Sequence, residues 1–177
     1  MTQHIRSITP VLNTARLHLR GLLPADAPLI AMFAGDLRVS RHLAVVPHPY
    51  PEGAAEGFIA ATLANEGPGL NWAITRKGDA ELMGVIGLVE KPEGMALGYW
   101  LAPPFWGAGL MSEAVAAVVS FCRIGAVPLL LASAHQDNPA SARVLQKAGF
   151  SWVGAGQDYC LAQGRMVASD YFRLALE

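Results

Sequence analysis

Cysteine is scarce in this chain, which has two such residues among 177, Cys122 and Cys160. They lie far apart, and neither belongs to a CxxC pair or to the Cys/His spacing typical of zinc sites. The scarcity argues against a disulfide-stabilised scaffold, and we expect no bound metal. Reduced thiols are typical of the cytosol, so we predict a cytoplasmic protein.

Charged residues are also few, and they are scattered. They make up 15% of the chain, with 13 basic residues against 14 acidic ones and a formal net charge of −1. Nucleic-acid binding typically needs a clustered basic surface, and no run of lysine or arginine supplies one. We therefore predict no nucleic-acid partner.

Long apolar runs are missing as well. No uninterrupted apolar segment reaches the roughly 18 residues typical of a membrane-spanning helix. The first residues, MTQHIRSITPVLNT, lack the apolar core of a signal peptide. The sequence therefore predicts a protein without a membrane partner.

The chain does have the hydrophobic content of a folded domain, 53% of its residues. Its length predicts one domain over residues 1–177. Alternating Leu17 and Leu19 predict a first strand over 14–20. Further helices are predicted at 25–35, 52–67, 110–121 and 137–150, further strands at 71–75, 81–90, 95–102, 128–134, 150–157 and 166–175, and an irregular segment at 36–51. This order predicts an α/β fold with a mixed α+β sheet.

The helix over 137–150 carries the clearest end signals. Asn138 suits the N-cap, Pro139 suits the first helical position, and Gly149 suits the position just after the helix. Ser141 then falls in the first turn, where a hydroxyl commonly hydrogen-bonds locally.

The stretch APPFWGAGLMSEA, residues 102–114, places two glycines between a predicted strand and a predicted helix. It is either an ordinary turn or an anion site, because a helix N-terminus offers free N–H groups and glycines allow close approach. A Walker A loop is excluded, since Gly109 is followed by Leu-Met-Ser. A dinucleotide fingerprint is excluded too, since Ser112 stands where its third glycine belongs. These failures argue against a nucleotide-binding regulatory domain.

The chain resembles members of the GNAT N-acetyltransferase superfamily in three segments and in their order and spacing. These segments are TARLHLR, GYWLAPPFWGAGLMSEA and DNPASARVLQKAGF. Within it, they are most similar to the RimJ/RimL-like branch. The resemblance implies a GNAT fold, in which a mostly antiparallel central sheet with splayed strands is flanked by helices. It also implies acetyl-CoA as co-substrate and transfer of its acetyl group to an amine.

The resemblance further implies where acetyl-CoA binds. Backbone N–H groups of the loop would hold the pyrophosphate, the strand before the loop would run beside the pantetheine arm, and an asparagine would face that arm. The implied cofactor-binding residues are Trp100, Leu101, Ala102, Gly107, Ala108, Gly109, Leu110, Met111, Ser112 and Asn138. Ala108 replaces a lysine common in relatives, and Met111 replaces a small residue.

Acetyl transfer to an amine needs a proton acceptor, stabilisation of an oxyanion and a proton donor for the leaving thiolate. By the resemblance, Ser141 would be that donor, and an N–H near Trp100 or Leu101 would face the oxyanion. The base is open, because Leu97 stands where many relatives carry an acid. Its candidates are His135, which follows a strand close to Asn138, together with Glu90, Glu93, Tyr99 and His48; ordered water is an alternative.

The acceptor amine is not identified by the sequence. In the resembling fold, the segment between the first two helices commonly borders the acceptor pocket. The predicted substrate residues are Arg38, Arg41, His42, His48, Tyr50 and Tyr99. The acceptor is then a protein N-terminus or a small-molecule amine, and a homodimer is compatible with the family. The alternative function is a CoA-binding sensor or partner subunit without transfer activity, for which Leu97 and Met111 are the supporting features.

Overall fold

The computed structural model describes residues 9–64, 66 and 69–176. Its strands are β1 (Leu12–Asn13), β2 (Leu17–Gly21), β3 (Gly69–Arg76), β4 (Leu82–Lys91), β5 (Gly94–Leu101), β6 (Leu129–His135), β7 (Ser151–Cys160) and β8 (Arg165–Ala175). They form one eight-stranded sheet in the order β1-β2-β3-β4-β5-β6-β8-β7. Neighbouring strands are antiparallel, except that β5 and β6 run parallel.

Helices flank this sheet. They are α1 (Ala27–Ala34), α2 (Leu37–Ser40), α3 (Ala54–Leu63), α4 (Leu110–Ile124) and α5 (Pro139–Lys147), with 3₁₀ turns at Pro24–Asp26 and Pro103–Phe105. None of the helices in the described part of the chain combines the length and apolarity needed to cross a membrane.

The mixed α/β architecture is confirmed, and so are the end signals of α5. The N–H of Ser141 donates to the Asn138 side chain at 3.3 Å, and Pro139 begins the helix. Gly149 has a φ of +95°, in the left-handed region that glycine adopts without strain. The Asn138–Ser141 contact holds the first turn of α5, and Gly149 allows the chain to leave its last turn.

The prediction of an irregular segment at 36–51 was wrong at its start, where α2 forms. The Asp36 side chain accepts a hydrogen bond from the N–H of Arg38 at 2.9 Å, which caps a helix of only four residues. The two-residue strand β1 was also not predicted. The helix predicted over 52–67 ends at Leu63, and positions 65, 67 and 68 lie outside the described residues. Residues 1–8, part of the segment that was predicted to lack a signal peptide, also lie outside them.

The sheet is covered on both faces by separate apolar clusters. One cluster packs α4 and α5 against the sheet and includes Leu97 and Leu101 of β5. The other packs α1 and α3 against the opposite face, and Trp100 packs against it. Because successive strand residues point to opposite faces, β5 contributes alternately to the two clusters.

A buried ion pair joins β2 to the start of α1. The Arg20 guanidinium donates to both carboxylate oxygens of Asp26, each at 2.8 Å, and the N–H of Leu23 also donates to Asp26 at 2.8 Å. Asp26 is 4% exposed. The Asp26 carboxylate therefore stabilises the turn through which the chain passes from β2 to α1.

We expect Asp26→Ala to lower the free energy of unfolding by about 3–5 kcal/mol, because it leaves the Arg20 charge without its partner. Urea unfolding followed by circular dichroism measures this loss. The control is Glu52→Ala at an exposed turn, where a change within about 0.5 kcal/mol is expected. An equally small loss for both variants would contradict the structural role given to the Arg20–Asp26 pair.

Candidate active site

A gap opens in the sheet between β5 and β6. Their pairing is limited to Met95 with Leu130 and Ala96 with Leu131. β5 nevertheless continues to Leu101, and β6 continues to His135. A cavity of ≈ 940 Å³ occupies this region and is lined by residues of both strands. The strands therefore diverge, as the family resemblance implied, and leave room for a ligand within the sheet.

The glycine loop lies at the edge of this cavity. Gly107 and Gly109 have φ values of +77° and +74°, and side-chain atoms at Gly107 would meet nothing within 4 Å. Gly109 precedes α4, whose N-terminus has no side-chain cap. Leu110 and Ser112 line the cavity at that terminus. The loop is thus open, and uncapped N–H groups of the first helical turn can bind an anion.

Arg16 and Glu113 hold this loop from the far side, and sequence reasoning missed both. Arg16 donates to the Ala108 carbonyl at 2.9 Å and to Glu113 at 2.7 Å. Thr14 also donates to Glu113. Burial acts to raise the pKa of Glu113, but these hydrogen bonds outweigh it and hold that pKa below its ordinary value. The signal was present, since Arg16 lies within the segment TARLHLR.

The other predicted cofactor residues do not all reach the cavity. Trp100, Leu101 and Met111 line it. Ala102 is buried instead, and its N–H donates to the Met83 carbonyl at 2.8 Å. Ala108 turns its carbonyl toward Arg16 and is outside the cavity lining.

Asn138, Ser141 and Tyr99 meet on the α5 side of the gap. The Tyr99 hydroxyl lies 3.0 Å from the Ser141 hydroxyl and donates to the Ser141 carbonyl at 3.1 Å. Burial raises the pKa of Tyr99 to about 12, although the hydrogen bond with Ser141 opposes this. Tyr99 therefore keeps its proton at neutral pH, which suits a proton donor and not a base.

His135 lies at the end of β6, on the opposite face. It lines the cavity and is 6% exposed, and its Nδ1 has no hydrogen-bond partner among the described residues. The ring of His42 is 6.1 Å away, centroid to centroid. Burial lowers the pKa of His42, which Asp137 only partly offsets. Because His135 lines the cavity and its buried Nδ1 is unpaired in the described part of the chain, its imidazole is a candidate for proton transfer.

Donor atoms of His42, His135 and Asp137 all lie within 4.8 Å of one another, a grouping that could also hold a metal ion. His42 Nδ1 is 3.3 Å from an Asp137 oxygen without making a hydrogen bond. The other Asp137 oxygen is occupied by Arg41 at 2.8 Å. Arg41 would therefore compete with a metal ion for this carboxylate.

The predicted substrate residues divide into two groups. Arg38 and Tyr50 line the cavity, as His42 and Tyr99 do. Arg41 and His48 are outside the lining; Arg41 pairs with Asp137, and His48 contacts the Gly35 carbonyl at 3.0 Å. The Arg38 guanidinium is paired with Asp36 at 2.6 Å.

The acidic candidates for the base are also outside the cavity lining. Glu90 is the penultimate residue of β4, Glu93 lies in the following turn, and neither is among the residues that line the cavity. Leu97 lines the cavity but is otherwise buried in the apolar core. An ionised acid at this position would need a buried partner, which explains why an apolar residue is stable there.

Cationic side chains that sequence analysis did not single out flank the same cavity. Arg143 and Lys147 are four residues apart on α5, and both are exposed along the rim. This spacing places them on one face of the helix. They add positive charge to the rim of the cavity.

Comparison with known proteins identifies the family of this chain. A family model described as an acetyltransferase (GNAT) domain matches residues 16–151. The N-acetyltransferase YoaA of Bacillus subtilis (strain 168), itself uncharacterized, is 35% identical over 167 residues, which cover 88% of this chain and 90% of YoaA.

Solved structures share the fold at lower identity. A GNAT-family acetyltransferase from Bacillus anthracis superposes with a TM-score of 0.81 at 18% identity, covering 94% of this chain and 98% of that one. RimL, a ribosomal alpha-N-protein acetyltransferase solved with coenzyme A, superposes with a TM-score of 0.79 at 19% identity and the same coverage. These likenesses establish the fold, and the family match establishes more: the chain belongs to the GNAT family of acetyl-CoA-dependent acetyltransferases.

Proposed function

We propose that this protein transfers an acetyl group from acetyl-CoA to a primary amine by direct attack in a ternary complex. The observation that carries the proposal is the gap between β5 and β6, which has a half-buried hydroxyl pair, Tyr99 and Ser141, on one face and a buried imidazole on the other. Such an arrangement serves a reaction that takes a proton on one side and supplies one on the other. The continuous sheet supports a single catalytic domain over residues 1–177.

The loop and the gap have the features that acetyl-CoA binding requires. The N–H groups around Gly107, Gly109 and Leu110 would hold the pyrophosphate, and Arg143 and Lys147 would attract its phosphates. Trp100, Leu101 and Asn138 would flank the pantetheine arm along the gap. Bound in this way, acetyl-CoA supplies the acetyl group as a thioester whose sulfur leaves as a thiol.

Strand alternation separates the two chemical tasks. Ala132 and Ala134 of β6 belong to the cluster on the α4 and α5 face, so His135 points to the opposite face. Tyr99 packs against the α4 and α5 cluster and reaches Ser141 on that face. The amine therefore approaches from the α1 and α3 side, and the thiol leaves on the α5 side.

Three groups of this chain would then perform the reaction. His135 accepts the proton of the amine, and Ser141, supported by Tyr99, donates a proton to the leaving sulfur. Backbone N–H groups near Trp100 and Leu101 that point away from β4 donate to the developing oxyanion, because β6 has already diverged there. Positioning two bound reactants supplies much of the remaining rate.

The acceptor is either a protein N-terminus or a small-molecule amine. The shared fold with RimL, an alpha-N-protein acetyltransferase, supports the first. The apolar lining on the α1 and α3 side of the cavity supports a compact amine or a single side chain. Homodimer formation and the cytoplasmic location stay predictions from the sequence.

Thermal stabilisation and thiol release test the proposal together. Acetyl-CoA is expected to raise the melting temperature, whereas NAD and ATP are not. Thiol release is then followed with a panel of amines and peptides. Stabilisation by none of the three ligands would reject the cofactor assignment, and stabilisation by acetyl-CoA without release on any acceptor would favour the sensor function.

The Arg16 contact should govern acetyl-CoA affinity. Arg16→Ala removes a charged hydrogen bond to the loop, and we expect the Kd for acetyl-CoA to rise about 10-fold. Isothermal titration calorimetry measures this change. Arg76→Ala, at the exposed end of β3, is the control and should leave the Kd unaltered. Equal affinities for both variants would remove Arg16 from the loop's support.

Ser141 should affect turnover more than binding. Ser141→Ala is expected to lower kcat about 10- to 100-fold while the Kd for acetyl-CoA stays nearly constant, because only the proton donor is lost. Steady-state thiol release gives kcat. Ser120→Ala, on the exposed surface of α4, is the matched control. A wild-type kcat in the Ser141 variant would exclude it from the mechanism.

His135 should be required for deprotonation of the amine. His135→Gln keeps a polar side chain of similar size, and we expect kcat to fall about 100-fold or more. Its control is His18→Gln, a surface histidine that contacts Asn13. If activity of the His135 variant instead matched wild type, ordered water would be the better assignment for the base.

A further inference from the structure

On the amine side of the cavity, two adjacent positions of the sheet carry no side chain. Gly98 of β5 pairs with Gly87 of β4, and Gly87 pairs with Asn71 of β3. We call these three residues the floor. Neighbouring strands are about 4.8 Å apart, so the floor extends about 10 Å across the sheet from Gly98 to Asn71.

The floor faces the helices α1 and α3. Trp100, two residues from Gly98, packs against the apolar cluster on that side, and Val85, two residues from Gly87, is part of that cluster. His135 points to the same face, as strand alternation requires. The floor and the candidate base therefore lie on the same face of the sheet, and both line the cavity.

Gly98 leaves open space above the sheet. A methyl group placed there would meet no atom within 4 Å beyond its neighbours, and its φ is outside the left-handed region. At Gly87, by contrast, such a group would collide with the Asn71 side-chain oxygen. The Asn71 amide thus leans over Gly87 and ends the depression, while its nitrogen donates to Thr62 at 3.4 Å.

The walls above the floor are apolar. They are formed by Ile30, Val46, Tyr50, Phe58, Val85 and Trp100. Among the described residues that line the whole cavity, Asp158 is the only carboxylate, and Arg38 on this side is cationic. An acceptor with several positive charges would find only one carboxylate in this lining, whereas an apolar group would be removed from water against these walls.

We propose that the floor is the binding site for the body of the acceptor, and that the acceptor is a primary amine carrying one apolar or aromatic group on a short linker. This inference rests on the proposed acetyl transfer, since it places the amine beside His135. The same chemistry occurs in a small arylalkyl amine and in a peptide with an apolar first residue. Gly98 determines specificity by leaving room for that group.

The acceptor preference tests this directly. We expect kcat/KM for 2-phenylethylamine and 3-methylbutylamine to exceed that for spermidine and glycinamide about 10- to 100-fold, the usual value of burying such a group. The second arm of the experiment compares peptides that begin with phenylalanine and with aspartate. Faster acetylation of the phenylalanine peptide than of 2-phenylethylamine would identify a peptide as the acceptor, and the reverse would identify a small molecule. Equal or faster turnover of spermidine would overturn the proposal.

A variant of the floor separates steric from general effects. Gly98→Ala fills the open space, and kcat/KM for 2-phenylethylamine should fall about 10-fold, with little change for glycinamide or in the Kd for acetyl-CoA. The control is Gly57→Ala on α3, which is also in open space and should change none of these values. Equal loss with every amine in the Gly98 variant would overturn the assignment.

Binding keeps the inference testable if no amine is acetylated. In that case, the proposed transfer fails. Calorimetric titration of 2-phenylethylamine into the protein with coenzyme A present then measures amine binding at the floor, independently of transfer. Binding by wild type that weakens about 10-fold in Gly98→Ala would support the floor as an amine site. A wild-type protein that does not bind 2-phenylethylamine would overturn it.

Discussion

Two residue pairs join β5 to β6 before the strands separate, and this short pairing governs the chemistry of the molecule. Had the parallel ladder continued to Leu101 and His135, the sheet would have been closed and its backbone groups used within it. Divergence frees the edge of β5 and creates the cavity. The cost of the unpaired backbone groups is offset where a ligand can form the hydrogen bonds that a neighbouring strand would form.

The glycine loop around Gly107 and Gly109 is held by a contact from Arg16, near the start of the described chain. Arg16 at the entry to β2 binds the Ala108 carbonyl and the Glu113 carboxylate, so the loop and the first turn of α4 are held by one side chain. Ala108 itself carries no charge, and the Arg16 guanidinium lies outside the loop, close to Gly109. The loop is therefore stabilised by its surroundings, and its N–H groups stay available.

The same alternation that builds the two cores also separates acid from base. Tyr99 and Ser141 lie on the face of α5, while His135 and the floor lie on the face of α1 and α3. Leu97 is buried among apolar residues, so the absence of an acid at this position follows from its surroundings. An imidazole at the end of the neighbouring strand can provide a proton acceptor without burying a carboxylate.

Much of this protein could be predicted from local sequence. Local sequence determines the ends of α5 at Asn138 and Gly149, the strand β5 and the glycine loop around Gly107, because each depends on neighbouring residues. A chain with this order of helices and strands has few alternatives to a mixed sheet. Tertiary structure alone decided that Arg16 reaches Ala108, that Ala102 turns inward, and that Gly87 and Gly98 are adjacent. These contacts join residues distant in sequence, and their geometry depends on strand register and packing, which no local pattern encodes.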